Sequence, residues 1–285
     1  MSIEFRNFTY QYALTDSPAL QHINLTLEEG RFYGIIGPNG SGKTTLCNAV
    51  VGLIPGFYRG KMTGEVLIEG KNVAEWEETS LCRKVGYVFQ NPFTQISGIR
   101  NTVLEELILG LENLSVPKVE LVDRAVRVAR EVGIYDIIDK NPNELSGGQR
   151  QRVAFASILA MDVDVYVIDE PTSQLDPDGT ENIFRAIRSL KEKRKTVMLI
   201  EHKVDLMAEY ADEMIVLKNG EIIRHGAAAE VLSEYELTEQ GVAVPQMTLF
   251  AHKMQESGKP LDCHPITVEQ AADAVKRRIS AEGRA

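Results

Sequence analysis

Hydrophobic and polar residues follow two different periods along the chain, and together these periods predict an α/β protein. Near-alternating apolar positions over residues 3–12 and 20–27 indicate half-buried strands. Short apolar runs indicate further strands at residues 31–37, 64–70, 85–89, 163–169, 196–201, 212–218 and 220–226. Two of these runs contain VYVI and VMLI, which are typical of parallel strands buried on both faces. Helical patterns lie between several of these strands, so the predicted fold class is α/β.

The middle and the end of the chain are predicted to be helical. Residues 101–139 carry apolar residues at three- and four-residue spacing, as in VELVDRAVRVAREVG, which indicates amphipathic helices. After residue 226 we expect a short helix to about residue 234, followed by a loop-like stretch that contains glycine and proline. A last amphipathic helix is predicted over residues 267–279.

The composition limits the classes of function. The 285 residues include 41 acidic and 31 basic side chains, and the net charge of −10 disfavours binding to nucleic acid through phosphate neutralisation. No apolar stretch approaches the roughly 18 residues of a membrane span, and the first residues lack the pattern of a secretion signal. Three widely separated cysteines fit a reducing compartment. We therefore expect a soluble cytoplasmic protein that does not bind nucleic acid.

Residues 37–44 read GPNGSGKT and fit the phosphate-loop pattern G-x-x-x-x-G-K-[ST] between an apolar strand and a predicted helix. Glycines let successive backbone N–H groups of such a loop face a phosphate, and the positive end of the helix adds to the attraction. Lys43 can reach the β- and γ-phosphates, and the Thr44 hydroxyl can ligate Mg²⁺. The nucleotide-binding residues expected here are Gly37, Pro38, Asn39, Gly40, Ser41, Gly42, Lys43, Thr44 and Thr45.

The buried strand predicted near residue 165 ends in two acidic residues, Asp169 and Glu170. Asp169 would bind Mg²⁺, directly or through water. Glu170 would face the attacking water as general base or as the group that orients it. Acidic strand ends are common on protein surfaces, but in a chain with a phosphate loop this pair indicates a P-loop nucleotidase.

Residues 145–151 read LSGGQRQ, a segment that places two glycines at a predicted helix start and so forms a second anion-binding site. GPNGSGKT, LSGGQRQ and VIDEPTSQLD, in that order, resemble the motifs of the ATP-binding cassette (ABC) ATPase family over about residues 1–225. The resemblance implies ATP and Mg²⁺ as cofactors, and a P-loop core with an antiparallel β subdomain and a helical insertion at about residues 93–160. Residues 226–285 would form a C-terminal extension that contacts a second cassette.

The family resemblance also implies roles outside the phosphate loop. Gln90 resembles the Q-loop glutamine, which contacts Mg²⁺ or water, and His202 resembles the switch histidine that bonds the γ-phosphate. Tyr12 resembles the aromatic residue that stacks on adenine, with Tyr10 as the alternative, and Asp176 resembles the aspartate at the dimer junction. The LSGGQ residues expected to contact nucleotide are Ser146, Gly147, Gly148 and Gln149. The expected catalytic residues are Lys43, Gln90, Glu170 and His202, and the expected metal ligands are Thr44, Gln90 and Asp169.

The chain carries one phosphate loop and one LSGGQ segment. In the family, the LSGGQ segment of one subunit closes on ATP that is held by the loop of another, which excludes water from a charge-dense site. We therefore expect a head-to-tail pair, formed with itself or with a homologous cassette. ATP would favour the closed pair, because only that form makes both sets of phosphate contacts, and hydrolysis would reopen it.

Residues 89–113 resemble the Q-loop region of energy-coupling-factor (ECF) importers, which take up vitamins and transition-metal ions. The subgroup pattern is matched at Asn91, Pro92, Gln95, Thr102, Val103, Glu105 and Glu106, whereas Phe93-Thr94 stands where an acidic residue is usual. IEHKVDL at residues 200–206 and the tail segments GVAVPQMTLF and PITVEQAADAV also resemble this subgroup. The resemblance implies an ATPase subunit at the cytoplasmic face of the cell membrane. Its partners would be a transmembrane coupling subunit and a substrate-binding membrane subunit.

Two alternatives stay open from the sequence. The first is the ATPase subunit of another ABC importer or of an exporter. The second is a soluble ABC protein outside transport. A ribosome-associated factor would usually carry two cassettes joined by a charged linker, and a DNA-repair ATPase would carry a long heptad insertion before LSGGQ. The sequence shows neither feature.

Overall fold

The computed structural model describes residues 2–282, and its strands form two sheets. The antiparallel sheet has the order β2-β1-β4-β5 and consists of β1 (Ile3–Tyr12), β2 (Leu20–Leu27), β4 (Gly60–Ile68) and β5 (Lys71–Asn72). The larger sheet has the order β10-β9-β3-β8-β7-β6 and consists of β3 (Phe32–Ile36), β6 (Val85–Val88), β7 (Val165–Asp169), β8 (Thr196–Ile200), β9 (Glu213–Lys218) and β10 (Glu221–Ala227). All of its neighbouring strands are parallel except β9 and β10.

The helices connect and follow the strands of the larger sheet. Those up to residue 210 are α1 (Lys43–Val50), α2 (Leu53–Gly56), α3 (Glu78–Cys82), α4 (Val103–Asn113), α5 (Lys118–Glu131), α6 (Gly147–Met161), α7 (Pro177–Glu192) and α8 (Val204–Tyr210). The C-terminal region adds α9 (Ala228–Leu232), α10 (Gln246–Glu256) and α11 (Val268–Glu282). Short 3-10 turns occur at Val73–Glu75, Pro92–Thr94, Tyr135–Ile137, Pro142–Glu144 and Tyr235–Gln240. Among residues 2–282, no helix combines the length and the apolar character needed to cross a membrane.

The larger sheet separates two hydrophobic clusters, because side chains alternate across each strand. On β7, Val165 and Val167 belong to the cluster formed with the antiparallel sheet and α1, whereas Tyr166 and Ile168 belong to the cluster formed with the helices α4 to α7. Every residue of β3, β7 and β8 is buried. This confirms the prediction of parallel strands that are buried on both faces.

Side-chain caps begin the helices on which the LSGGQ and DEPTSQLD segments lie. Ser146 caps α6, and Gln149 bonds back to the Ser146 N–H to complete a capping box. Asp176 caps α7 by accepting a hydrogen bond of 2.7 Å from the N–H of Gly179. These hydrogen bonds therefore hold the backbone of both segments at the first turns of α6 and α7.

The C-terminal region packs against β3 and β9 of the larger sheet and against α8. Leu232, Leu237 and Val242 share a hydrophobic cluster with residues of β3, α8 and β9. The loop-like stretch expected here is wrong in part, because α10 occupies eleven of its residues. Pro245 directly before this helix and Gly258 shortly after it are the start and stop signals of a helix.

Candidate functional site

The phosphate loop connects β3 to α1, and two of its glycines allow the tight turn. Gly37 has φ 152° and Gly42 has φ 104°, a region of backbone space that other residues rarely adopt. A Cβ atom on Gly37 would lie 2.0 Å from the carbonyl oxygen of Leu217, and one on Gly42 would lie 2.5 Å from that of Ala19. The loop can therefore pass this close to its neighbours only with glycine at both positions.

The loop lies in a cleft with a volume of about 500 Å³, whose other walls come from distant parts of the sequence. Tyr12 is at the end of β1, and Gln90, Glu170 and His202 follow β6, β7 and β8. The cleft is lined by Tyr12, Ala19, Asn39, Gly40, Ser41, Gly42, Lys43, Thr44, Thr45, Gln90, Glu170 and His202. All of these except Ala19 are site residues that were predicted from the sequence.

Thr44 and Asp169 form the part of the site that suits a metal ion. The Thr44 hydroxyl donates a hydrogen bond of 2.7 Å to Oδ2 of Asp169. Asp169 is 1% exposed, and its Oδ1 atom has no hydrogen-bond partner among the described residues. Burial raises the pKa of Asp169 to about 6, although the hydrogen bond from Thr44 acts in the opposite direction. A hydroxyl beside a buried carboxylate with a free oxygen fits the oxygen ligands that Mg²⁺ prefers.

Glu170 lies between Gln90 and His202, two of the other side chains that are expected to act in hydrolysis. Its Oε2 atom accepts a hydrogen bond of 2.7 Å from Nε2 of Gln90, and its Oε1 atom lies 2.8 Å from Nε2 of His202. The backbone of Glu170 has φ 47°, a left-handed conformation that is strained for a residue with a side chain. Glu170 therefore combines a strained backbone with a carboxylate that contacts both Gln90 and His202.

The side chain of Lys43 lies across the phosphate loop. Its ammonium group donates hydrogen bonds of 2.9 Å and 3.0 Å to the carbonyl oxygens of Gly37 and Pro38. Burial lowers the pKa of Lys43, while the carboxylates of Glu170 and Asp169 oppose this shift. The ammonium group is thus close to the loop N–H groups and could exchange its carbonyl partners for a phosphate.

The two tyrosines proposed for the base differ in burial. Tyr10 is fully buried, and its hydroxyl donates a hydrogen bond of 2.9 Å to the carbonyl oxygen of Tyr58. Tyr12 is partly exposed and lines the cleft, and its hydroxyl lies 3.1 Å from Oγ1 of Thr45. Tyr12, rather than the alternative Tyr10, is therefore the aromatic side chain beside the phosphate loop.

The LSGGQ segment does not line this cleft. Gly147 and Gly148 begin α6 and lie beside Gln174, since a Cβ on Gly147 would be 2.8 Å from the side-chain oxygen of Gln174. The structure thus brings together the phosphate loop, Tyr12, Gln90, Glu170 and His202. Within the loop, the predicted contacts Gly37 and Pro38 line a neighbouring cavity instead of this cleft. Within one chain, the predicted nucleotide contacts Ser146, Gly147, Gly148, Gln149 and Asp176 also lie outside the cleft.

Two buried residues that the sequence did not indicate organise the loop that carries His202. The carboxylate of Glu201 accepts hydrogen bonds from the N–H of His202 at 2.9 Å and from the hydroxyl of Thr172 at 2.7 Å. Both Glu201 and Thr172 are buried. The available signal was the acidic residue directly after the apolar run of β8, because acidic side chains are rarely buried without partners.

Two residues of the ECF-like pattern fix the segment that follows Gln90. Oε1 of Gln95 accepts a hydrogen bond from the N–H of Phe89 at 3.1 Å, and its Nε2 donates to the carbonyl oxygen of Ala154 at 3.0 Å. The buried carboxylate of Glu106 accepts from the N–H and the hydroxyl of Ser97 at 2.8 Å and 2.6 Å. The Q-loop segment is therefore held to both β6 and the helical insertion.

Known proteins resemble the chain over most of its length. The ABC transporter family model matches residues 20–173. A putative ABC transporter ATP-binding protein of Pyrococcus abyssi is 39% identical over 258 residues, which are 90% of this chain and 91% of the relative. The energy-coupling factor transporter ATP-binding protein EcfA2 of Streptococcus agalactiae is 36% identical over 286 residues, which cover 97% of this chain and 99% of the relative.

Solved structures of ATP-binding cassettes share the fold. A cassette determined as a dimer in a post-hydrolysis state, bound to ADP and Pi, is 30% identical with a TM-score of 0.70 over 79% of this chain and 98% of that chain. The protein cbiO1 of Clostridium perfringens, part of the ABC transporter complex cbiONQ, is 29% identical with a TM-score of 0.69 over 84% of this chain and 93% of that chain. The predicted P-loop ABC fold is therefore confirmed. The chain belongs to the ABC transporter family, as an ATP-binding cassette that hydrolyses ATP.

Proposed function

We propose that this chain is the ATP-hydrolysing subunit of an ECF-type importer for vitamins or transition-metal ions. The observation that carries this proposal is the match to EcfA2 over nearly the whole length of both proteins, which includes the C-terminal region beyond the family model. The similarity to cbiO1 of the cbiONQ complex supports it. The subunit would lie at the cytoplasmic face of the cell membrane and drive a transmembrane coupling subunit and a substrate-binding membrane subunit.

In this proposal the cleft binds ATP and hydrolyses it. Lys43 and the N–H groups of its loop bind the phosphates, and Tyr12 stacks on the adenine. Thr44, Asp169 and Gln90 would hold Mg²⁺, which supplies positive charge beside the phosphates. The carboxylate of Glu170 orients the attacking water or accepts its proton, and His202 bonds the γ-phosphate. The contacts of Glu170 with Gln90 and His202 support these roles because they place the three groups at one wall of the cleft.

The position of LSGGQ outside the cleft supports a pair of cassettes. Ser146 to Gln149 of one chain would close on the ATP held by the loop of a second chain, identical or homologous, and Asp176 would lie at their junction. The similarity to a cassette that was determined as a dimer supports the same arrangement. Light scattering of the Glu170→Gln variant tests it. We expect a dimer with Mg-ATP and a monomer with Mg-ADP. A monomer with Mg-ATP, alone and with every candidate cassette, would contradict the pairing.

The helical insertion supplies a surface for the coupling subunit. Phe93 is 56% exposed, and the guanidinium group of Arg150 on α6 lies 4.5 Å from the centre of its ring. Gln95 holds the same segment to α6 through its bond to Ala154. An exposed aromatic side chain on a fixed segment next to Gln90 is suited to contact a helix of the membrane partner and to relay its movement to the cleft.

The experiment that tests the proposed function is affinity purification of the tagged chain from detergent-solubilised membranes, with identification of the copurifying proteins. We expect a cassette, a transmembrane coupling protein and a separate small membrane protein that binds the substrate. A permease pair without a separate substrate-binding membrane protein would indicate another type of ABC importer or an exporter. Ribosomal or DNA-repair proteins without membrane proteins would indicate the non-transport alternative and contradict the proposal.

A further inference from the structure

The loop after β8 is fixed on both sides of His202. Glu201 is 4% exposed, and one oxygen of its carboxylate accepts from the N–H groups of His202 at 2.9 Å and Lys203 at 3.3 Å. The ammonium group of Lys203 donates to the hydroxyl of Thr180 on α7 at 2.9 Å. The side chain of His202, which is 54% exposed, extends from this anchored backbone to the cleft.

Glu201 also joins this loop to the segment that carries Glu170. Its second oxygen accepts a hydrogen bond of 2.7 Å from the hydroxyl of buried Thr172. The N–H of Glu170 donates a hydrogen bond of 2.9 Å to the carbonyl oxygen of Ile200. One backbone bond and one buried side-chain bond therefore connect the two loops whose side chains meet at the 2.8 Å contact between Glu170 and His202.

We propose that Glu201 is a positioning residue for ATP hydrolysis, which holds the backbone of His202 so that its imidazole stays within hydrogen-bond reach of Glu170. The proposal rests on the proposed function, in which Glu170 and His202 act on the attacking water and the γ-phosphate. A buried carboxylate requires hydrogen-bond donors, and the three donors that Glu201 has within residues 2–282 belong to the two loops beside the site. A satisfied buried network of this kind makes both loops one rigid unit.

The proposal predicts an effect on turnover rather than on nucleotide binding. Glu201 lines a neighbouring cavity with Lys43 and His202 rather than the cleft that contains Tyr12, Thr44 and Thr45. Its hydrogen bonds go to His202, Lys203 and Thr172, so its loss leaves the hydrogen bonds of the phosphate loop in place. The backbone of His202 would lose its acceptor, and the imidazole would lose its fixed distance from Glu170. Displacement of a catalytic group by roughly 1 Å costs up to about a hundredfold in rate.

The first experiment compares the Glu201→Ala and Glu201→Gln variants in the purified complex, by kcat and by KM for Mg-ATP. Glutamine has the same length, and its amide oxygen can accept the N–H bonds while its amide nitrogen faces the hydroxyl oxygen of Thr172. We expect alanine to lower kcat at least about tenfold with KM within about threefold of the wild type, and glutamine to keep kcat within about threefold. An unchanged kcat in the alanine variant would overturn the proposal, as would an effect confined to KM.

Thr172 provides a matched pair of variants if the alanine variant does not fold. Thr172→Val removes the hydroxyl but keeps the shape of the side chain, whereas Thr172→Ser keeps the hydroxyl. We expect the valine variant to lower kcat several-fold and the serine variant to match the wild type. Equal rates in the two variants would contradict the role of the bond between Thr172 and Glu201.

A double-mutant cycle tests whether Glu201 acts through His202. His202→Ala is expected to lower kcat, and the further change Glu201→Ala is expected to lower it no more, because the imidazole to be positioned is gone. The same fold-loss in both backgrounds would overturn the proposal for Glu201. If His202→Ala alone leaves kcat unchanged, the proposed role of His202 fails instead, so the two failures are distinguishable.

Discussion

The hydroxyl of Thr44 donates a hydrogen bond of 2.7 Å to the carboxylate of Asp169, which lies 125 residues further along the chain. This bond joins the helix after the phosphate loop to the end of β7 and brings two proposed metal ligands together. It satisfies only one oxygen of a carboxylate that is fully buried. In the absence of a cation, the charge of Asp169 therefore destabilises the fold, and under the proposed role a bound metal ion would offset this loss of stability.

The Asp169→Asn variant should be more stable than the wild type without nucleotide or metal. The folded state raises the pKa of Asp169 from 3.8 to about 6, so the folded protein binds the proton more tightly than the unfolded chain does. The charged carboxylate therefore lowers the free energy of unfolding by at most about 3 kcal/mol. This loss of stability is complete well above pH 6 and declines as the pH falls toward 3.8, the pKa of Asp169 in the unfolded chain. Asparagine removes the charge and keeps an acceptor for Thr44.

Thermal unfolding in EDTA measures this effect. We expect a higher Tm for Asp169→Asn than for the wild type at pH 8 and a smaller difference at pH 5. Mg-ATP should raise the Tm of the wild type more than that of the variant. A variant that is less stable than the wild type at pH 8, or a difference that grows toward pH 5, would contradict the account of this carboxylate.

Lys43→Ala and Glu170→Gln should separate binding from hydrolysis. Lys43 is the cation of the phosphate loop, so its removal should weaken ATP binding and abolish turnover. Glu170→Gln keeps an acceptor for Gln90 but removes the base, so it should keep ATP binding and stop hydrolysis. Equilibrium binding and phosphate release measure the two effects on the same preparations. Wild-type turnover in either variant would remove the role assigned to that residue.

Ser146→Ala should lower turnover without lowering the affinity of the isolated chain for ATP, because Ser146 does not line the cleft of its own chain. Thr102→Ala is the matched control, since Thr102 begins α4 with the same type of capping box. Each variant should lose about 1 kcal/mol of stability through its helix cap. Only the Ser146 variant should lose basal ATPase activity. Similar activity losses in both variants would show that the effect comes from helix stability and not from a nucleotide contact across the pair.

Phe93→Ala should reduce copurification of the membrane subunits and leave the Tm nearly unchanged. Phe93 is exposed beside the Q-loop, and the substitution of an exposed side chain usually changes stability by less than about 0.5 kcal/mol. Leu14→Ala is the control, because Leu14 is 99% exposed and lies on the connection between β1 and β2. Equal recovery of membrane subunits with both variants would exclude Phe93 from the contact.

Most residues that line the cleft were named from the sequence, and they meet there because they follow parallel strands of one sheet. The phosphate loop and Glu170 come directly after β3 and β7, and Gln90 and His202 are each separated by one residue from the ends of β6 and β8. Parallel strands bring their carboxyl ends to the same edge, so motifs that follow buried apolar runs meet there. Strand patterns and short motifs indicated the phosphate loop and Glu170, whereas Gln90 and His202 were expected from the resemblance to the ABC family.

Features that depend on tertiary contacts were not predictable in the same way. The burial of Glu201 follows from its partner Thr172 on another loop, and no local pattern encodes that contact. The left-handed backbone of Glu170 is likewise imposed by its surroundings, since local preference disfavours it. The helix α10 was missed for a different reason. Pro245 and Gly258 were interpreted as loop residues, although they also mark the two ends of a helix.

The central claim is that each ATP is contacted by two cassettes, by the phosphate loop of one and the LSGGQ segment of the other. The most direct test is to measure the ATPase rate per chain while the protein is diluted. The rate should be measured together with the mass by light scattering, for the chain alone and with each candidate partner cassette. We predict that the rate per chain falls in proportion to the fraction of paired cassettes. A rate per chain that stays constant when light scattering shows only monomers would contradict the claim.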